Sequence, residues 1–300
     1  MQFIKQQCWS VKNWLVNFRW RLIVWKEQIY RICLGADNNR PTIVTFTGGM
    51  GAQIISAAIY FSMKDAGRSV YADLSYFDRP ESIAVVGKTG DCSHWSWQLE
   101  PFGLSASSFE ISSNCIKQKA NILQDGDIRK ADLALAALTH PDIHQFFRIP
   151  NGISDILPME FEEGFLCMHI RRGDYVNVAS HLVVDDEFIN LARKFSGLVD
   201  SIVIISDSPI EPSFRNVVSS MFKLASFLDN TDAYTAHRVM RNSRILICSN
   251  SQFSLTAAAL NPDALVLVPI QWFGGGHRRF EATVNSRCSF QIMENKSAMS

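Results

Sequence analysis

The 300-residue sequence predicts an α/β protein with two Rossmann-like lobes, and three observations carry that prediction. From residue 42 onward, short runs rich in Val, Ile and Leu alternate with helix-length segments, as strands joined by helical crossovers do. The first run leads directly into a glycine cluster, Thr47-Gly48-Gly49-Met50-Gly51, that opens a helix. Midway, Pro150, Asn151, Gly152 and Pro158 interrupt the alternation, which sets a lobe boundary near residue 155. The expected layout is a helical segment over residues 1–40, a first lobe over 41–155 and a second over 156–300. With 47% hydrophobic residues the chain can fill both cores.

Taken in order, the first forty residues are unlike the rest. Ile4, Cys8, Val11, Leu15, Phe18, Leu22, Trp25, Ile29 and Ile32 recur in steps of three and four and so share one helical stripe. Lys5, Lys12, Arg19 and Lys26 follow at seven-residue spacing beside it, and Trp9, Trp14 and Trp20 widen the apolar surface. Two readings fit: a helix packed on the body or on a second copy in a homo-oligomer, and a helix lying in a membrane surface with its bases snorkelling. Residues 35–41 then read as a helix stop and linker. The first lobe offers a strand (TIVTF, 42–46), a helix from Ala52 to Gly67, and a second strand (SVYADL, 69–74). Residues 80–160 show one further helical run, ADLALAALTH. In the second lobe the strand-like runs GFLCMHI, SIVIISD, KLASFLD, RILICSN and ALVLVPI alternate with four helix-like segments. That is a doubly wound parallel sheet, whose ligands bind beyond the carboxyl ends of the strands.

Bulk properties exclude several classes. Twenty-nine basic residues balance twenty-nine acidic ones, so nothing points to a nucleic-acid partner and any electropositive site must be local. The seven cysteines are odd in number, scattered and without a C-x-x-C pair, which suits a reducing compartment better than a disulfide framework. The first residues lack the apolar core and cleavage site of a signal peptide, and no stretch nears about 18 uncharged apolar residues. A cytoplasmic chain is the expectation.

The chemistry gathers at strand ends. GFLCMHI ends abruptly in Arg171 and Arg172, and desolvated guanidinium groups need an anion. The neighbouring runs finish in Ser206-Asp207 and in Ser249-Asn250-Ser251-Gln252-Phe253-Ser254. Hydroxyls, an amide and backbone N–H groups at a helix start form an anion cradle, which with the two arginines would hold a pyrophosphate without a metal. Metal chemistry has little support, since there is no D-x-D and the histidines lack ligand spacing.

At this point a resemblance becomes specific. His169-Ile170-Arg171-Arg172-Gly173-Asp174-Tyr175 resembles the H-x-R-R-G-D-Y signature of the GDP-fucose-dependent α-1,2-fucosyltransferases. Gly48-Gly49-Met50-Gly51-Ala52-Gln53 is similar to that family's G-G-L-G-N-Q, and Tyr71 to Phe77 to the strand and loop that follow it. Ser249 to Ser254 resembles its S-N-S-S-F-S, and Pro269-Ile270-Gln271-Trp272-Phe273 its closing P-x-x-W-F, so the likeness spans residues 42–275.

The resemblance implies the GT-B architecture, two Rossmann-like lobes facing across a cleft, with the first lobe taking the acceptor and the second the GDP-sugar. It also implies inversion at the sugar carbon, no metal, and a lipid-linked O-antigen or capsule unit as glycan acceptor at the cytoplasmic face of a bacterial membrane. Arg171 is then the β-phosphate ligand, Ser249, Asn250, Ser251 and Ser254 supply phosphate or guanine contacts, and Asp207 lies near the nucleoside. Gly49, Gly51 and Gln53 would line the donor site, although the glycines also suit a simple tight turn and Gln53 an ordinary helix position. His169 reads either as a substrate ligand or as a satisfied core histidine. Arg172 reads either as a substrate contact or as a brace on Asp174. Asp174 and Asp78 are the candidate proton acceptors. Two departures matter: Ala52 replaces the family's asparagine, and Leu255-Thr256 replaces its W-W pair. They leave two other readings in view, a transferase for a different GDP-sugar and a non-catalytic nucleotide- or glycan-binding protein.

Overall fold

The computed structural model describes residues 40–78, 96–124, 128–138, 140, 142–149, 152–161, 164–177, 182–229, 231–261, 263–269 and 289–293. The amphipathic segment expected over residues 1–40 falls outside them except for Arg40, as do Ile270 to Phe273 of the closing motif. The chain divides into two compact units. One gathers residues 40–47, 53–78 and the described residues of 102–148; the other holds Gly48–Ala52, residues 96–101 and the described residues from Ile149 onward. Among the described residues no helix is long and apolar enough to cross a membrane.

The first unit carries a three-stranded parallel sheet in the order β2-β1-β3, with β1 at Thr42–Thr45, β2 at Val70–Asp73 and β3 at Asn121–Leu123. Helix α1 (Met50–Asp65) connects β1 to β2. It is apolar nearly all round, and Ile54, Ala57, Ala58 and Tyr60 are fully enclosed. Helix α2 (Ile128–Leu138) starts three residues before the run that announced it, and this brings in Lys130. The Lys130 side chain is buried, and its ammonium donates to the Thr45 carbonyl (2.9 Å) at the end of β1.

The second unit carries a six-stranded, wholly parallel sheet in the order β6-β5-β4-β7-β8-β9. Its strands are β4 (Leu166–Ile170), β5 (Ser201–Ser206), β6 (Leu224–Asp229), β7 (Ile245–Ile247), β8 (Leu265–Pro269) and β9 (Ser289–Met293). The helices α3 (Asp185–Phe195), α4 (Pro212–Ser219), α5 (Ala233–Arg241) and α6 (Gln252–Ala259) connect successive strands as far as β8. Helix α3 starts on Asp185-Asp186-Glu187 and ends on Arg193-Lys194, charges that complement its dipole at both ends. Helix α4 begins with Pro212, whose missing N–H costs nothing in a first turn.

Strand alternation then divides the core. Leu166, Met168 and Ile170 of β4, with Ile202, Ile204, Ile245, Ile247 and Leu267, pack against Phe188 and Leu191 of α3 and Phe214 and Val218 of α4. Each such enclosed side chain contributes about 1.5–3 kcal/mol. The intervening positions, Cys167 and His169 among them, face the other way, where the His169 ring meets Phe253 of α6. From β4 the chain steps outward to β5 and β6, then returns to the opposite side of β4 as β7 and steps outward again. The order therefore reverses between β4 and β7, where open α/β sheets take their ligands.

Gly51, in the first turn of α1, shows why that position needs a glycine. A β-carbon there would lie 2.6 Å from the Phe253 backbone nitrogen and 2.7 Å from the Gln252 carbonyl carbon, and backbone cannot step aside cheaply. Gly51→Ala is therefore expected to cost about 1–3 kcal/mol in urea unfolding. A variant as stable as the parent would contradict this close approach.

Candidate functional site

The first cluster is built on the tip of β4 and the end of β5. Asp207 follows β5 directly, and its carboxylate is shared: Oδ2 pairs with the Arg171 guanidinium (2.9 Å) and Oδ1 accepts the Arg172 backbone N–H (2.7 Å). Gly173 closes the turn at φ +25°, and a β-carbon on it would sit 2.6 Å from that same Oδ2. The Gly173 N–H donates to Ser208 Oγ (3.2 Å), and the Ser208 N–H to Ser206 Oγ (3.2 Å). Arg171 also lies 5.3 Å from the centre of the Tyr175 ring, a cation–π distance. Arg171 is thus oriented from one side by a carboxylate and from another by an aromatic face.

Arg172 has a different environment. Its guanidinium donates to the Val183 carbonyl (2.9 Å) and to its own neighbour's carbonyl on Arg171 (3.2 Å), and it pairs with Asp185 at the head of α3. Its ion-pair partner among the described residues is Asp185, eleven positions beyond the Asp174 that the sequence offered. The reason is local: Asp185 belongs to the acidic first turn of α3, which packs beside β4. Sequence spacing alone could not reveal that, because residues 178–181 separate the two elements. The Asp174 side chain lies outside the described atoms, and Asp78, the other candidate acid, is exposed.

The second cluster lies at the end of β7. Here the sequence suggested open hydroxyls and amides, and the structure shows most of them occupied within the loop. Ser249, Asn250, Ser251 and Ser254 are all buried. Ser249 Oγ lies 2.8 Å from His169 Nδ1. Ser251 caps α6 by accepting the Phe253 N–H (3.3 Å), and Ser254 Oγ donates to the Ser251 and Ser249 carbonyls (3.2 and 3.4 Å). The group left over is Asn250, whose Nδ2 is buried and has no hydrogen-bond partner among the described residues. A buried amide without a partner costs about 1–3 kcal/mol, a cost that a ligand's acceptor atom would remove.

Behind this loop, the Phe253 ring lies between two buried imidazoles, 5.5 Å from His169 and 5.4 Å from His237. Thr256 Oγ1 donates to the Phe253 carbonyl (2.9 Å), so it accepts from His237 Nε2 (3.2 Å). Asp185, Ser208 and His237 were absent from the sequence-derived set, in which Phe253 stood only within the Ser249–Ser254 run and Thr256 only as a departure from the family's W-W pair. Of these, only Asp185 carried a usable signal, the D-D-E helix start. Gly48 and Gly49 lie half-buried in the bend before α1, with Gly48 at φ +68°. Gln53 is fully buried in α1, within the first unit.

No protein-family model and no curated protein matches the chain. Among solved structures it is similar to the E. coli heptosyltransferase WaaC with ADP-2-deoxy-2-fluoro heptose, at 10% identity over 84% of this chain and 92% of that one, TM-score 0.45. It is also similar to POFUT1 in complex with GDP-fucose, at 11% identity over 86% and 98% of the two chains, TM-score 0.43. A glycosyl transferase family 9 protein from Veillonella parvula DSM 2008 is similar at 11% identity, 86% of each chain and TM-score 0.43. These are loose likenesses, and the chemical reading of the site rests on its own residues.

Both histidines are neutral. Burial, then the positive charge of Arg171, pushes the His169 pKa down to about 3. Burial, then Arg241 and His169, holds His237 well below the usual histidine range. The unfolded chain therefore binds more protons than the native one below the ordinary histidine pKa of about 6.5. Their stabilising contribution is complete above that pH and falls as pH drops below it, for His169 until pH nears 3. Between pH 7 and pH 5, His169 alone should account for about 2 kcal/mol of lost stability. Urea unfolding at the two pH values should show that increment in the parent and not in His169→Asn. Equal losses in both proteins would contradict a neutral buried imidazole.

Proposed function

We propose that the chain is a glycosyltransferase of the GT-B class that takes its sugar from GDP-fucose and transfers it, with inversion, to a glycan hydroxyl in α-1,2 linkage. The second unit is assigned the donor and the first the acceptor. The observation that carries the reading is the arrangement at the β4–β7 reversal: a guanidinium oriented by Asp207 on one strand end, and an unsatisfied Asn250 amide on the next. A diphosphate or a nucleobase offers acceptor atoms to both. The motif resemblance around Arg171 adds the identity of the nucleotide and the sugar.

The chemistry follows from charge. As the glycosidic bond breaks, the sugar gains oxocarbenium character and the β-phosphate gains negative charge. Arg171, already aimed and partly desolvated, stabilises that charge most where it is greatest, in the transition state. Asp207 keeps the guanidinium in place and offsets part of its charge before the donor arrives. Arg172, tied to Asp185 and to two backbone carbonyls, holds the turn. Asp174, which follows in that turn, is assigned the acceptor's proton, with Asp78 as the alternative. Ala52, where an asparagine would be expected, favours a second reading in which another GDP-sugar is the donor; competition between donors distinguishes the two. The proposed acceptor is a lipid-linked O-antigen or capsule unit at the cytoplasmic membrane face.

Two experiments test this reading. GDP should raise the melting temperature while UDP does not, and EDTA should leave the shift unchanged, with about 2.7 kcal/mol of stabilisation at a hundredfold excess over Kd. Equal stabilisation by UDP, or loss on chelation, would overturn the donor assignment. Arg171→Lys keeps the charge but removes the planar fork, so turnover at saturating donor should fall about 10²–10³-fold with a smaller change in GDP affinity. Near-normal turnover in the folded variant would remove Arg171 from the chemistry.

A further inference from the structure

At the reversal point the β4–β7 ladder ends, and His169 makes side-chain contacts across the opening. The β4–β7 ladder runs Leu166↔Ile245, Cys167↔Leu246 and Met168↔Ile247, and ends there. Beyond it, β4 stays with β5 through His169↔Ile205 and Ile170↔Ser206. The continuation of β7 stays with β8, because the Cys248 N–H donates to the Leu267 carbonyl (2.8 Å). Two strands that were hydrogen-bonded neighbours thus part by one residue, and the backbone no longer fixes one tip relative to the other.

His169 is the first residue past the split, and its Nδ1 lies 2.8 Å from Ser249 Oγ on the other strand's extension. Ser249 in turn organises the loop: its carbonyl accepts the Ser251 N–H (2.8 Å) and the Ser254 hydroxyl (3.4 Å). Ser251 caps α6, and the Phe253 ring of that first turn packs on the His169 imidazole. His169 therefore holds the loop at two points, a hydrogen bond at Ser249 and a ring contact at Phe253. Asn250, the residue with the unsatisfied amide, is flanked by the two serines so fixed. His169 itself is 3% exposed, so its ring has little surface to offer a ligand.

We propose that His169 is a positioning residue: its neutral imidazole accepts the Ser249 hydroxyl through Nδ1, sets the separation of the β4 and β7 tips, and so aims the Asn250 amide at the donor. The proposal rests on the donor-site reading above. It differs from a histidine that merely fills core volume in one checkable respect. Asparagine places an amide oxygen near the position of Nδ1 while leaving volume empty, whereas leucine fills the volume and offers no acceptor.

The test uses the full chain, with GDP as the probe. If His169 positions the loop, His169→Leu should weaken GDP binding about tenfold or more, since it leaves a buried hydroxyl unsatisfied and the loop unfixed, while His169→Asn should stay within about threefold of the parent. Ser249→Ala removes the same bond from the other side and should match His169→Leu. The pair combined should lose no more than either alone. Imidazole nitrogen NMR of the parent without ligand should show Nδ1 unprotonated, and its resonance should move in Ser249→Ala. A leucine variant that is folded and binds GDP as well as the asparagine variant would overturn the proposal, as would a proton on Nδ1. If the parent itself fails to bind GDP, the donor reading fails and the positioning role falls with it, whereas parental binding with equal variants sinks the positioning role alone.

Discussion

The site depends on a constraint of the sheet itself. A parallel sheet that grows outward from β4 in one direction and then in the other must part its strands at the reversal, and here the ladder stops at Met168 and Ile247. The residues of the proposed donor site lie at or just past that split: His169, Arg171, Arg172, Asp207 and the Ser249–Ser254 loop. Strand tips freed from their ladder expose polar backbone and side chains without disturbing the core below. That core, centred on Leu166, Met168, Ile202, Ile204, Ile245 and Ile247, supplies the stability that lets an unsatisfied amide and two buried imidazoles persist above it.

Charge at the split is managed by pairing. Two adjacent guanidinium groups at a strand end would repel and lose hydration, and each is given its own acid, Asp207 for Arg171 and Asp185 for Arg172. The two pairs differ in what surrounds them. Arg172 donates to two backbone carbonyls and belongs to the turn, while Asp207 also grips the Arg172 N–H and leaves Gly173 no room for a side chain. The same turn that fixes one arginine thereby aims the other.

Much of this was legible in the sequence, because strands buried on both faces must be apolar throughout and the charged residues that end them stand out. The five strand runs of the second half, the glycine opening of α1 and the cluster at Arg171 were all readable on that basis. What escaped was decided by contacts distant in sequence. Strand β3 is three residues long with a half-exposed pattern, and β9 is a five-residue stretch, SFQIM, without strict alternation, so neither gave a periodic signal. The hydroxyls of Ser249, Ser251 and Ser254 read as open donors until the fold showed them bonded to the His169 ring, the Phe253 N–H and the loop's own carbonyls. Asn250 and Asp185 acquire their meaning only from that placement.

The proposed donor site places a nucleoside diphosphate at the β4–β7 reversal. Amide hydrogen exchange of the full chain with and without GDP tests this most directly. Protection on GDP addition is predicted in residues 171–177, 206–208 and 249–254, with the interior of the six-stranded sheet unchanged. Protection confined to other segments, or none at GDP concentrations that saturate binding, would contradict it.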